Sequence, residues 1–158
     1  MPIGQFHTYQ PHPQQVPFHK SQSRVRFVLG GNKSGKSAGG VIEDTWCALG
    51  FHPYRKMPVP NHGWIVSLDH TLSENVIEPM IWEVIPKSFI KDWEPRKRVF
   101  TLINGSTIGL KSCDSGFEKF GGTSRNWIHF DESPDSDVFS ECGMRTLDCH
   151  GDMWVTMT

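Results

Sequence analysis

The sequence predicts an α/β fold with a mainly parallel central sheet flanked by helices, plus a β-hairpin, and three observations lead there. Short runs rich in β-forming residues alternate with stretches whose apolar residues recur at helical spacing. One such run passes straight into a glycine-rich loop and then into a helical pattern. An Asn-Gly pair, Asn104-Gly105, separates two further β-rich runs, as in a tight hairpin turn where both residues tolerate positive φ.

Taken in chain order, residues 1–23 are rich in Gln, His and Pro with Phe6, Tyr9 and Phe18 interspersed. They read as an arm laid over a domain that occupies residues 24–158, its aromatics partly packed, rather than as core secondary structure. Val25, Phe27, Val28 and Leu29 form the first strand. Val41, Ile42, Trp46, Cys47 and Leu49 mark the helix after the glycine-rich loop, and Gly50 is placed to stop it. Residues 64–68 read as a second strand. Leu72, Val76, Ile77, Met80, Ile81, Val84 and Ile85 mark a second amphipathic helix, with Pro79 a kink or a late start. Residues 98–103 and 107–111 form the hairpin, an insertion or sheet edge. Residues 126–131, "NWIHFD", are a strand ending in acid, and residues 153–158, "MWVTMT", are a last strand.

The gross numbers bound what this fold can do. With 158 residues the chain is the size of one ordinary domain. A 37% hydrophobic and 21% charged composition, without an apolar run of about 18 residues, argues against a membrane span. The N-terminus lacks the basic start and apolar run of a secretion signal, so a reducing cytoplasm is expected. Cys47, Cys113, Cys142 and Cys149 form no Cys-x-x-Cys pair and read as ordinary thiols. Cys142, Cys149 and His150 could contribute to a metal site, but a fourth ligand at diagnostic spacing is not visible. A net charge of −1 excludes a global basic field, so any nucleic-acid contact must be local.

The chemistry is concentrated in two places. Gly30, Gly31, Asn32, Lys33, Ser34, Gly35, Lys36 and Ser37 satisfy G-x-x-x-x-G-K-[ST] between a predicted strand and a predicted helix. In such a phosphate loop, backbone N–H groups wrap phosphate oxygens, Lys36 reaches the β and γ phosphates, and Ser37 ligates Mg²⁺. The second place is Asp131-Glu132, where Asp131 would hold Mg²⁺, through a bound water or directly, and Glu132 would orient and deprotonate the attacking water. Adjacent acids of this kind point to the additional-strand (ASCE, RecA-like) P-loop ATPases, which include helicases and translocating motors. Thr156 and Thr158 close the last strand, where such motors carry a γ-phosphate sensor. His129 is unusual in a strand where aliphatics are the rule, and reads as a hydrogen-bonded packing residue rather than a ligand.

Taken together, these segments resemble the ATPase domain of the phage terminase large subunit, the motor that packages double-stranded DNA. "PHPQQVPFH" resembles that family's adenine-side segment and "LGGNKSGKS" its Walker A. "INGSTIGLKSCD" resembles its hairpin, "FGGTSRNWIHFDESP" its Walker B approach, and "GDMWVTMT" its coupling motif. The resemblance implies that Gln15 binds the adenine edge, with Gln14 the less favoured alternative and Tyr9 or Phe18 a stacking partner. It implies that Lys36 and Ser37 hold phosphates and Mg²⁺, that Asp131 and Glu132 serve metal and water, and that Thr156 and Thr158 couple hydrolysis to motion. Arg125 and Arg145, with Lys119 behind them, are the candidates for a cation against the transition state, and Lys33 for an extra γ-phosphate or intersubunit contact. Arg96, Lys97 and Arg98, with Lys91, form the basic cluster and read as a solvated strand entrance rather than a DNA contact.

The implied activity is Mg²⁺-dependent ATP hydrolysis driving double-stranded viral DNA into a procapsid in the host cytoplasm. Implied partners are a homo-oligomeric ring on the portal and a small terminase subunit. The nuclease domain and later strands typical of that family are not seen, so the ATPase domain is expected to be incomplete at its C-terminus. Two other readings remain: a helicase-like or other DNA-dependent ATPase, and a nucleotide-binding regulatory subunit that does not hydrolyse.

Overall fold

A computed structural model describes residues 8–158; Phe6 lies outside them. Where the sequence predicts an arm without core structure, the chain forms a short helix, α1 (Val16–Lys20), whose Phe18 and His19 are buried. Pro17 in its first turn suits the fixed φ of a helix start. The strand β1 (Val25–Leu29) then leads through the glycine-rich loop into α2 (Lys36–Leu49). Gly50 ends α2 in a left-handed conformation, φ 73°, its N–H bonded to the Cys47 carbonyl, while the Phe51 N–H reaches back to Trp46. The periodicity of α2 predicts one apolar face; in the fold nearly the whole helix from Gly39 onward is buried, Glu43, Asp44 and Thr45 included.

After β2 (His62–Ser67), the second predicted helix is broken into three pieces. A single turn, α3 (His70–Leu72), and a π-helical turn (Ser73–Ile77) precede α4 (Glu78–Val84), and Pro79 falls in the first turn of α4, so it acts as a late start. The remaining strands are β3 (Ile90–Glu94), β4 (Val99–Leu102), β5 (Thr107–Ser112), β6 (Trp127–Asp131) and β7 (Asp152–Met157), with helix α5 (Ser136–Leu147) between the last two.

Among the described residues, seven strands join one sheet in the order β1-β7-β6-β2-β5-β4-β3. The pairings from β1 across to β5 are parallel, and β4 and β3 add on antiparallel. The predicted hairpin, β4–β5, therefore does not stand apart: its second strand pairs in parallel with β2 and lengthens the sheet. Side chains alternate between two cores, as the pleat requires. On one face Ile65, Trp127 and Trp154 pack against Val41, Ile42, Trp46, Ile77 and Ile81; on the other Trp64, Val66, Ile128 and Phe130 pack against Val138 and Cys142. Trp127 and Trp154 are fully buried and stacked, 5.6 Å apart at 14°, each burial stabilising by up to about 3 kcal/mol. The parallel arrangement matters for function because it brings the C-terminal ends of β1, β6 and β7 together at one end of the sheet, where open α/β folds place their ligands.

Candidate nucleotide site

The loop between β1 and α2 is bound to its neighbours at that end. The Gly30 N–H donates to the Met157 carbonyl at 3.1 Å, tying the loop to the end of β7. Gly35 stands at the N-cap of α2 with φ 80°, a left-handed conformation that favours glycine. Lacking a side-chain cap, the first N–H groups of α2 are left for an external acceptor. Lys33 also has positive φ, 61°, and is exposed.

Lys36 is folded inward and only 8% exposed, yet its neighbours are distant. Its Nζ lies 3.4 Å from the Gly31 carbonyl and 3.7 Å from Glu132 Oε1. A buried ammonium so loosely held suits an anionic ligand. Ser37 Oγ donates to Asp131 Oδ1 at 2.7 Å, and the Thr156 hydroxyl lies 3.2 Å from the same oxygen. Glu132 follows in a left-handed conformation, φ 77°, its N–H bonded to the Thr156 carbonyl at 2.8 Å. Its carboxylate accepts from the Thr158 N–H at 3.0 Å and the Thr158 hydroxyl at 2.9 Å. Partial burial pushes the Glu132 carboxyl up, but the two Thr158 bonds and the Lys36 charge more than offset this and hold it below its ordinary value. Lys36, Ser37, Asp131, Glu132, Thr156 and Thr158, drawn from three segments of the sequence, thus meet at one place.

Other predicted residues fall elsewhere. Gln15 sits beside the loop, but its amide is engaged by protein groups: Nε2 donates to the Gly35 carbonyl at 3.0 Å, and Oε1 accepts from Tyr9 and the His12 N–H. Gln14 is exposed. Phe18 is buried with the Arg26 guanidinium over its ring, 4.8 Å away, and Tyr9 packs edge-on against His19 and Trp46. Arg125 precedes β6 and so lies at the far end of that strand from Asp131, about 16 Å along five residues of strand. There its guanidinium covers Trp64 at 4.4 Å. Arg145 is at the same far end: its carbonyl accepts from the Arg125 N–H at 2.7 Å, and its side chain pairs with Glu141 at 3.2 Å. Neither arginine reaches the phosphate loop of its own chain. Lys119 is exposed. Arg98, expected as a solvated charge, is instead mostly buried, paired with Glu74 and Glu78 and lying against Trp93.

All four cysteines are free, with Cys142 buried and Cys149 exposed. Among the described residues the converging metal-type cluster is instead Glu43, Cys47 and His52, their ligand atoms within 4.8 Å of one another. It is an ion-pair network rather than a metal cage. The Glu43 carboxylate is bonded by His19 at 2.7 Å, Arg26 at 2.7 Å and His52 at 2.9 Å, while burial pushes the Cys47 thiol well up, away from the thiolate a metal needs. Burial works against the Glu43 anion, but the two histidines and Arg26 override it and hold the carboxyl far below its usual range. Sequence reading missed this network, although Glu43-Asp44 on a run of core residues was a visible signal.

A mostly parallel sheet, a glycine-rich loop capping a helix at its C-terminal end, and a strand ending in acid beside that loop define a P-loop NTPase fold. Solved structures make the likeness more particular. The ATPase domain of the Thermus phage P74-26 large terminase superposes with a TM-score of 0.73 at 17% identity, over 98% of this chain and 67% of that one. The HK97 bacteriophage large terminase gives 0.74 at 11% identity, over 95% of this chain and 33% of its own. The large terminase of a thermophilic bacteriophage, in complex with ADP, gives 0.66 at 17%, over 92% and 38%. The chain thus shares the fold of phage large-terminase ATPase domains and spans about two thirds of the first structure and a third or so of the other two. No protein-family model and no curated protein matches the sequence. Among the described residues, no helix is long and apolar enough to cross a membrane.

Proposed function

We propose that this chain is the ATP-hydrolysing motor domain of a terminase large subunit, coupling Mg²⁺-dependent ATP hydrolysis to movement of double-stranded DNA into a procapsid. The observation that carries the reading is the meeting of Lys36, Ser37, Asp131, Glu132 and Thr158 at one end of a sheet that shares its fold with phage large-terminase ATPase domains. The thermophilic-phage terminase structures in complex with ADP and with ATP-gamma-S support a nucleotide as the ligand.

In this reading the first N–H groups of α2 and the loop backbone receive the phosphates, and Lys36 turns from Gly31 to the β and γ oxygens. Ser37 Oγ and Asp131 Oδ1, two hard oxygen donors already 2.7 Å apart, fit an Mg²⁺ ion. Such an ion neutralises charge on the β and γ phosphates. Glu132 aligns and deprotonates the attacking water, and Thr158, bonded to it, carries the state of the site to the end of β7. Gln15 exchanges the Gly35 carbonyl for the adenine edge. Arg125 and Arg145, remote from their own loop, would serve a neighbouring subunit in a homo-oligomeric ring at the portal, working with a small terminase subunit in the host cytoplasm.

Phosphate release by the wild-type chain and by Glu132→Gln tests the proposal. Turnover should fall at least about 100-fold in the variant while binding of a fluorescent ATP analogue is kept. Equal turnover in the two proteins would remove Glu132 from the chemistry, and a wild-type chain that releases no phosphate would overturn the ATPase reading.

A further inference from the structure

His129 is the residue that the motor reading leaves unused. It sits in the middle of β6, a strand buried along its whole length, with its side chain completely enclosed. Its Nδ1 lies 2.7 Å from Asp44 Oδ2 on α2, and its Nε2 lies 2.9 Å from the Thr156 hydroxyl on β7. The Thr156 hydroxyl in turn lies 3.2 Å from Asp131 Oδ1, the oxygen that accepts from Ser37. Ser37, Asp131, Thr156, His129 and Asp44 therefore form a closed circuit that leaves α2 at its first turn and returns to it two turns later.

Two features show that α2 is shaped around this circuit. Ser37, Gly40 and Asp44 are spaced three and four residues apart, which lines them along one face of the helix. Gly40 supplies the room: a Cβ there would stand 2.4 Å from His129 Cε1, 2.6 Å from its Nε2 and 3.1 Å from Thr156 Cγ2. Only a residue without a side chain admits an imidazole at this point. Burying a carboxylate and an imidazole together carries a desolvation cost that a hydrophobic pair of the same volume would not. Retaining them beneath Asp131 therefore calls for a role beyond filling space.

We propose that His129, clamped by Asp44, is a positioning residue that holds the Thr156 hydroxyl against Asp131 and so links the phosphate-loop helix to the β7 strand. The role rests on the proposed ATPase reading, in which Asp131 serves Mg²⁺. Groups that hydrogen-bond a metal-binding carboxylate fix its orientation, and their loss commonly costs 10–100-fold in metal affinity. If Thr156 loses its support, Asp131 keeps only the Ser37 contact and can turn away from the ion. A displacement of Asp131 has the reverse path, through Thr156 and His129, to Asp44 on α2.

The test is a Mg²⁺ titration of fluorescent ATP analogue binding to the full chain, with binding in EDTA as the reference. His129→Gln should raise the half-saturating Mg²⁺ about tenfold, while binding in EDTA moves little. Thr156→Val should give a shift of the same size, and the His129→Gln/Thr156→Val double variant no more than either alone, because members of one unit are not additive. Asp44→Asn, which keeps the shape of the clamp, should shift the titration about threefold by the same reasoning, and it serves if His129→Gln does not fold. Thr156→Ser should restore the wild-type curve. Unshifted variants, or a double variant whose shift is the product of the singles, would overturn the circuit and leave the ATPase reading standing. A wild-type chain that binds no magnesium nucleotide would overturn that reading at its first step.

Discussion

The Glu132 carboxylate accepts two hydrogen bonds from Thr158, one from its N–H and one from its hydroxyl. The residue proposed to activate water is thereby aimed by the residue at the end of the neighbouring strand. Thr158→Val removes the hydroxyl bond and keeps the backbone one. Turnover should fall about tenfold with nucleotide binding unchanged, as expected when a general base loses part of its alignment. Steady-state phosphate release alongside analogue binding separates the two.

Lys36 is buried with its nearest polar contacts, among the described residues, at 3.4 Å and 3.7 Å, so the folded chain gains little from its charge. Lys36→Ala should leave the melting temperature within a few degrees of wild type, yet weaken ATP-analogue binding about 100-fold or more. Loss of a charged contact to phosphate is worth about 2–3 kcal/mol or more in a desolvated site. Calorimetry and fluorescence titration on one preparation give both values.

Glu43 behaves in the opposite way: His19, Arg26 and His52 all bond its carboxylate, so its weight is structural. Glu43→Gln leaves Arg26 buried without its counter-charge and should destabilise the chain by about 3–5 kcal/mol in urea at pH 7. The sign with pH follows from its lowered pKa. The carboxylate's contribution is fully present above its ordinary value of 4.5 and declines as pH falls below it toward the lower folded value. The gap in urea midpoint between wild type and variant should therefore be largest near neutrality and narrow below about pH 4.

Gln15 joins the arm to the phosphate loop through Gly35, and to Tyr9 and His12. In Gln15→Ala this latch is gone. Competition binding should show the preference for ATP over GTP reduced about tenfold, since a site that hydrogen-bonds a base loses discrimination when the bond is removed. Unchanged preference would place the adenine contact on another residue.

Much of the phosphate-loop end was legible because its signals are local. A β-rich run, a glycine-rich loop and a helical period follow one another without a gap, and "NWIHFD" announces a strand ending in acid. Helix α5 was missed because its buried stripe is thin: Val138, Cys142 and Thr146 recur every four residues, but only the first is strongly apolar. Strand β3, "IKDWE", was missed because it is an edge strand with charged residues facing out. The strand order, which brings β1 beside β7 and β6 beside β2, depends on pairings distant in sequence and leaves no local trace. For the same reason, His129 could be recognised as unusual, but Asp44 could not be recognised as its partner.

Gly40 and His129 also constrain how this sequence can vary. With 2.4 Å between a would-be Cβ and the imidazole, alanine at position 40 excludes histidine at position 129, and a strand with valine or isoleucine there no longer requires glycine on the helix. Asp44 shares the constraint, because its buried carboxylate is paired with His129 at 2.7 Å and loses that partner when His129 is replaced. A chain that loses His129 first can keep Gly40, whereas one that gains a side chain at position 40 must lose His129 first. Glycine at position 40 should therefore accompany histidine at position 129 wherever the latter occurs, while the reverse need not hold.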